Sequence, residues 1–111
     1  MRRKLLQDSL NLSTEIHALI DQLPEDKKSE DTEQVKTLSL ALQSQIVRAQ
    51  KREDEELLET LEATLVSISD LEAKMLEAVK QRRLKKMAIN PLLAKMKELE
   101  TDVKVLAGMR V

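Results

Sequence analysis

The chain's one imidazole, His17, stands four residues before Asp21, and no other pairing in the sequence comes as close to a catalytic dyad. Nucleophilic catalysis needs a hydroxyl or thiol held beside a base. There is no cysteine and no second histidine, and His17 lies one step off an apolar stripe that contains Ile16. It reads as a solvated histidine loosely paired with a surface carboxylate. Metal chemistry lacks its donors too. Thiolate zinc sites need cysteine, and carboxylate di-metal sites in helical bundles need Glu-x-x-His pairs, which do not occur here. Glu59 and Glu62 are three residues apart, but both are flanked by apolar core positions and read as facing water. Phosphate-cradling loops need several glycines, and Gly108 is the only one. No catalytic, cofactor or metal site is expected.

The residues left to do work are charged or apolar. Glu53, Asp54, Glu55, Glu56, Glu59, Glu62, Asp70 and Glu72 form an acidic block with no base among them. From Lys74 onward the sign reverses through Lys80, Arg82, Arg83, Lys85 and Lys86. Helix-dipole complementation accounts for the first and last turns of such a helix. The length of the block also suits pairing with a helix of opposite polarity. The run Lys80-Gln81-Arg82-Arg83-Leu84-Lys85-Lys86 is a basic patch that resembles a nuclear-localisation or anion-binding segment. Nucleic-acid binding ranks below protein binding, because no aromatic residue is present to stack on a base. Helices that lie on membranes commonly use bulky aromatic anchors, which are also missing.

Apolar residues at three- and four-residue steps supply the other candidate surface. They are Leu58, Leu61, Leu65, Ile68, Met75, Leu76 and Val79, then Leu92, Met96, Leu99, Val103 and Leu106. Heptad-spaced stripes of this kind bind partner helices. Met75, Met87, Met96 and Met109 fall in the last third, where flexible thioethers either fill core gaps or shape an adaptable docking surface.

Helices must position these residues, and Leu, Ala, Met, Glu, Lys and Gln are helix formers. A first helix is expected at 3–23, with Leu5, Leu12 and Leu19 interleaved by Ser9, Ile16 and Leu23. Pro24 ends it, and 24–31 reads as an exposed polar loop. A second helix, capped by Asp31 or Thr32, is expected at 32–51 on Val35, Leu38, Leu42, Ile46 and Ala49. The polar stretch 50–56 has bases before acids, which favours one helix ending and another beginning. Leu58 also falls on the opposite face from Ala49 at about 100° per residue. One unbroken helix across 50–56 is the alternative. The third helix is expected at 54–89, about 52 Å long at 1.5 Å per residue. Asn90-Pro91 should cap a fourth at 91–107, which Gly108 closes in a left-handed conformation.

The expected fold is all-α: one domain, 1–111, forming an antiparallel helical bundle or extended coiled coil of three to four helices without strands. Narrow stripes and unequal helix lengths favour the extended form, or a bundle completed by a partner. At 111 residues the chain can bury a modest core. A net charge of -1 exerts no global pull on nucleic acid or anionic membrane. No apolar run reaches membrane-spanning or signal-peptide length, and the absence of cysteine fits an intracellular setting, cytoplasmic or nuclear.

The stretch Arg83-Leu84-Lys85-Lys86, with the leucine-rich segment after it, resembles the last helix of the BAG domain of heat-shock co-chaperones. That resemblance implies a three-helix bundle that binds the chaperone's nucleotide-binding domain through charged side chains. In size and pattern the chain is also similar to small helical export chaperones of flagellar and type III secretion systems, which implies client binding. The residues themselves lead to a non-catalytic protein-interaction module, a small subunit or adaptor of a larger assembly. A chaperone-type client binder is the first alternative and a basic nucleic-acid-associated protein the second. The partner expected is a protein, either another copy or a different chain, that completes the apolar stripe of 58–106.

Overall fold

A computed structural model describes residues 2–108. Four helices follow one another: α1 (Arg2–Asp21), α2 (Glu30–Ala49), α3 (Asp54–Lys80) and α4 (Lys86–Leu106), with a 3-10 turn at Glu25–Lys27 in the first connection. No strand occurs among the described residues. Short connections make consecutive helices antiparallel. α4 packs back against α1 and closes the ring, so each helix touches two neighbours. The product is an up-down-up-down four-helix bundle 46 Å long. It is all-α as expected, but closed rather than extended, and it has one helix more than the BAG resemblance implies.

Buried positions step by three and four along each helix. α2 buries Thr32, Val35, Ser39, Leu42, Ile46 and Ala49, and α3 buries Leu61, Thr64, Ile68, Leu71, Met75 and Ala78. α4 contributes Ile89, Leu92, Met96, Leu99 and Val103, and α1 contributes Leu5, Leu12, Ile16 and Ile20. Alternating steps of three and four average 3.5 residues, the period at which side chains of adjacent helices interlock. Each fully buried Leu or Ile stabilises the fold by roughly 1.5–3 kcal/mol over its exposed state. The polar members of the core are short hydroxyls that satisfy themselves. Ser9 Oγ donates to the Leu6 carbonyl at 2.8 Å, Ser39 Oγ to Lys36 at 2.7 Å and Thr64 Oγ1 to Thr60 at 2.7 Å. No buried side-chain polar atom among the described residues lacks a partner. These small residues therefore carry little desolvation cost.

Helix boundaries depart from the sequence expectation by a residue or two at the ends of α1, which stops at Asp21 and not 23, and of α2, which stops at Ala49 and not 51, and by more where α3 ends and α4 begins. α2 begins two residues early, because Ser29, not Asp31 or Thr32, occupies the cap. Ser29 Oγ accepts the Thr32 N–H at 3.3 Å while Thr32 Oγ1 accepts the Ser29 N–H at 2.9 Å, a reciprocal capping box. The turn expected within 50–56 is present, with Glu53 in the N-cap position, Asp54 opening α3 at φ 52°, and neither serving as a side-chain cap.

The largest departure is α3, which stops at Lys80 instead of 89. Extending its buried series past Met75 and Ala78 would bring Arg82 and Lys85 into the core, so the helix cannot continue there. Arg82 turns left-handed at φ 61°, its N–H bonds to the Val79 carbonyl, and the Arg83 N–H bonds to that of Ala78, both at 2.9 Å. Those two bonds are a Schellman motif. α4 then starts at Lys86, and Asn90-Pro91 lies inside it rather than capping it. Pro91 withdraws one backbone N–H, whose lost acceptor would be the carbonyl of Met87, a residue 86% exposed. Gly108 does close α4, at φ 76° with its N–H on the Val105 carbonyl.

Candidate interaction surface

The apolar residues expected to meet a partner divide into three groups. Leu61, Ile68, Met75, Leu92, Met96, Leu99 and Val103 are buried in the chain's own core. Leu65, Leu76, Val79 and Leu106 are half-buried against it, and Leu58 is 40% exposed. Most of the 58–106 stripe is thus completed by helices of the same chain, which corrects the expectation that another chain must cover it. Met75 and Met96 fill the core, Met87 is exposed, and Met109 lies outside the described residues. Sequence reading passed over Leu71, Ala78, Leu84 and Ile89, all core members.

The widest open apolar lining lies at the end of the bundle where α1 runs out and α4 begins. Leu23 leads into Pro24, and the 3-10 turn is held by the Lys27 N–H on the Pro24 carbonyl at 2.9 Å. Opposite it, the Schellman turn after α3 brings Leu84 inward until only 4% of it is exposed. The Arg83 guanidinium donates to the Asp26 carbonyl at 2.8 Å and ties the two connections together. Between them lies a cavity of about 580 Å³ whose apolar lining is Leu19, Leu23, Pro24, Val79, Leu84 and Ala88. Lys27, Arg82, Arg83 and Lys85 supply the rest of its lining, and no acidic side chain does. Val79 also lines a hollow of about 530 Å³ with Ala73 and Leu76, bordered by Lys80, Lys86 and Glu77. Leu76 and Ala73 continue into a third, of about 500 Å³, which reaches Leu65 along the seam of α3 and α4. Leu65, Leu76 and Val79 of the expected partner stripe therefore line one furrow that ends in the cavity, whereas Leu58 and Leu106 line a separate hollow with Leu57, Leu61 and Ala107 at the opposite end of the bundle.

Unpaired bases are most numerous at this end. Many bases find acids, including at this end: Lys36 binds Asp21 at 2.8 Å, Lys74 binds Asp31 at 2.9 Å, and along the bundle Lys95 binds Glu15 at 2.5 Å, while Arg3, Arg48 and Lys51 toward the other end form no ion pair among the described residues. Lys74 holds Asp31 below the usual carboxylate range, and Lys36 does the same for Asp21. At the cavity end, Lys27, Lys80, Arg82, Arg83, Lys85 and Lys86 also form no ion pair among the described residues. Lys85 is the N-cap of α4 and Lys86 its first residue, with no acid in the first turn and no side-chain cap. Bases there oppose the helix dipole. The acidic block on α3 is mostly solvated: Glu55, Glu59, Glu62, Asp70 and Glu72 are likewise without ion pairs among the described residues.

Two other clusters are accounted for internally. Asp8, Glu98 and Asp102 bring their carboxylates within 4.8 Å of one another, as metal ligands do. Lys4 sits among them, with Nζ 2.5 Å from Asp102, 3.0 Å from Asp8 and 3.1 Å from Glu98. The bond to Asp102, with those to Asp8 and Glu98, raises Lys4 above the ordinary lysine range, so the cluster holds a fixed ammonium. His17 does not bond Asp21. Its Nδ1 lies 2.8 Å from the Ser13 carbonyl, which only accepts, so Nδ1 carries the proton. No helix among the described residues is long and apolar enough to cross a membrane. Comparison with protein families, with curated proteins and with solved structures returned no match.

Proposed function

We propose that this protein is a non-catalytic helical interaction module, a small subunit or adaptor that docks another protein at the α1/α3/α4 end of its bundle. The observation that supports this most is the apolar cavity joined to the α3–α4 furrow and bordered by bases that form no ion pair among the described residues. An apolar hollow with a polar border is the usual shape of a docking site. The bundle's core is complete, so the module presents a preformed surface, and little ordering entropy opposes binding. A photo-crosslinking residue placed at Ala88, on the cavity, should yield one discrete protein adduct in the native host. The same residue at Arg48, near the other end, should not. The adduct should disappear when Arg82 and Lys85 are both changed to Glu. Adducts to nucleic acid, or adducts indifferent to that double change, would overturn the reading.

A further inference from the structure

Resting on that docking reading, we infer that the occupant of the furrow is an acidic amphipathic helix of a partner protein, anchored in the cavity by a bulky apolar side chain. Three features of the surface select it. The first is shape. Leu65, Leu76 and Val79 lie along one side of α3, and Leu65 to Val79 spans about 21 Å at 1.5 Å per residue. That is the reach of a helix of about fourteen residues laid in a groove and read through alternate apolar anchors. The second is the cavity at the furrow's end, whose volume of about 580 Å³ exceeds what a single aliphatic side chain needs. An aromatic anchor suits it, and this chain has no aromatic residue of its own to supply one. The third is charge. Lys80, Arg82, Lys85 and Lys86 crowd the cavity end of the furrow and form no ion pair among the described residues, and Lys85 and Lys86 oppose the dipole of α4. Farther along the furrow Glu72, Glu77 and Glu100 are interspersed with Lys97 and Lys104, so the acidic preference is set at the cavity end. Carboxylates on an incoming helix would relieve both the mutual repulsion and the dipole mismatch. A basic or neutral helix would relieve neither.

The absence of Trp, Tyr and Phe makes a clean test available. The probe is a synthetic amphipathic helix of about sixteen residues with Glu on its polar face and one Trp among leucines on its apolar face. Its tryptophan emission is read against no background from the protein. Binding should shift that emission to the blue. Arg82→Glu with Lys85→Glu should weaken binding at least tenfold, and so should Ala88→Gln, which adds a neutral polar side chain at an exposed position on the cavity. Arg48→Glu with Lys51→Glu, the same charge change elsewhere, should leave it within twofold. A probe with Gln in place of Glu should bind at least tenfold more weakly. If the Gln probe binds as tightly, the acidic preference is wrong while the docking reading stands. If neither helix binds, the helix-in-groove inference falls, and the cross-linking experiment then decides the docking reading separately. If vesicles of phosphatidylserine and phosphatidylcholine bind with the same dependence on Arg82 and Lys85 while the helices do not, the surface serves a lipid and the inference is overturned.

Discussion

Replacing Arg82 by glycine should make the protein more stable, although it removes a side chain and adds flexibility. Arg82 holds φ at 61°, where an L-residue brings its Cβ against the backbone. That conformation costs roughly 1–2 kcal/mol, and glycine escapes it. Against this, glycine widens the unfolded ensemble by about 0.5–1 kcal/mol. The native state should gain about 1 kcal/mol net, which for a domain of this size raises Tm by about 4 °C. The two backbone bonds of the Schellman turn are untouched, since both donors are main-chain N–H groups. Removing a cation from a crowded basic end is a second source of stability, so the charge must be separated from the backbone. Arg82→Ala removes the same charge and keeps the strained φ, and Arg82→Asn should fall between Ala and Gly. The mirror experiment is Gly108→Ala, at φ 76° with no atom within 4 Å of the added Cβ, where the loss is purely conformational. Urea melts followed by helical ellipticity give all four values. If Gly and Ala at position 82 prove equally stable, the left-handed turn is not where the strain resides and the argument is wrong.

Ser29→Ala should cost about 1 kcal/mol by breaking the capping box of α2, read as a lowered urea midpoint with an unchanged slope. Leu71→Ala should cost about 2–5 kcal/mol, since Leu71 is wholly buried, whereas Leu58→Ala should cost less than about 1 kcal/mol; equal losses would contradict the core assigned to α3. Asp31 is held below its unfolded pKa by Lys74, so its contribution is present above about pH 3.9 and lost as pH falls through the lower folded value. Thermal melts between pH 6 and pH 2 should therefore show Asp31→Asn least stable relative to the parent at pH 6, with the difference closing in acid. A difference that widens in acid would reverse the sign and refute the assignment. Finally, because the core closes within one chain, Tm should not change over a hundredfold range of concentration. A Tm that rises with concentration would place a second copy in the furrow.

The sequence made the helical class and most of the core legible because the three-four spacing of Leu, Ile and Val is a local signal, and Pro24 is a local stop. The break after Lys80 was missed for a physical reason. Helix ends are sought at Gly and Pro, and here an arginine takes the left-handed position that glycine usually fills. The signal available was the core period itself, which fails where it reaches Arg82 and Lys85 and resumes at Ile89. Following it would have started α4 before Pro91. A boundary at 89 makes α3 about 52 Å long, and unequal helix lengths of that kind are what favours a bundle completed by a second chain. The basic patch, in contrast, was found by composition alone. Its setting was invisible, because Leu19, Leu23 and Leu84 meet only after two connections far apart in sequence come together.

The placement of bases at that end is hard to explain by stability of the chain alone. Nearly every other charged contact in the bundle is complementary: Lys4 is surrounded by three carboxylates at the start of α1, and Lys104 pairs with Glu100 at 2.9 Å near the end of α4. Acids crowd the first turns of α2 and α3, where the dipole favours them. α1 and α4 both open on bases, but Arg2 and Lys4 of α1 are paired with carboxylates, whereas Lys85 and Lys86 of α4 form no ion pair among the described residues. Acids at positions 85 and 86 would cap its dipole and neutralise Lys80 and Arg82, each such interaction worth typically 0.3–1 kcal/mol at a surface. The chain forgoes that gain beside an open apolar cavity. Two locally unfavourable features at one site, each relieved by the same anionic, apolar ligand, are what a surface shaped for binding rather than for folding would show.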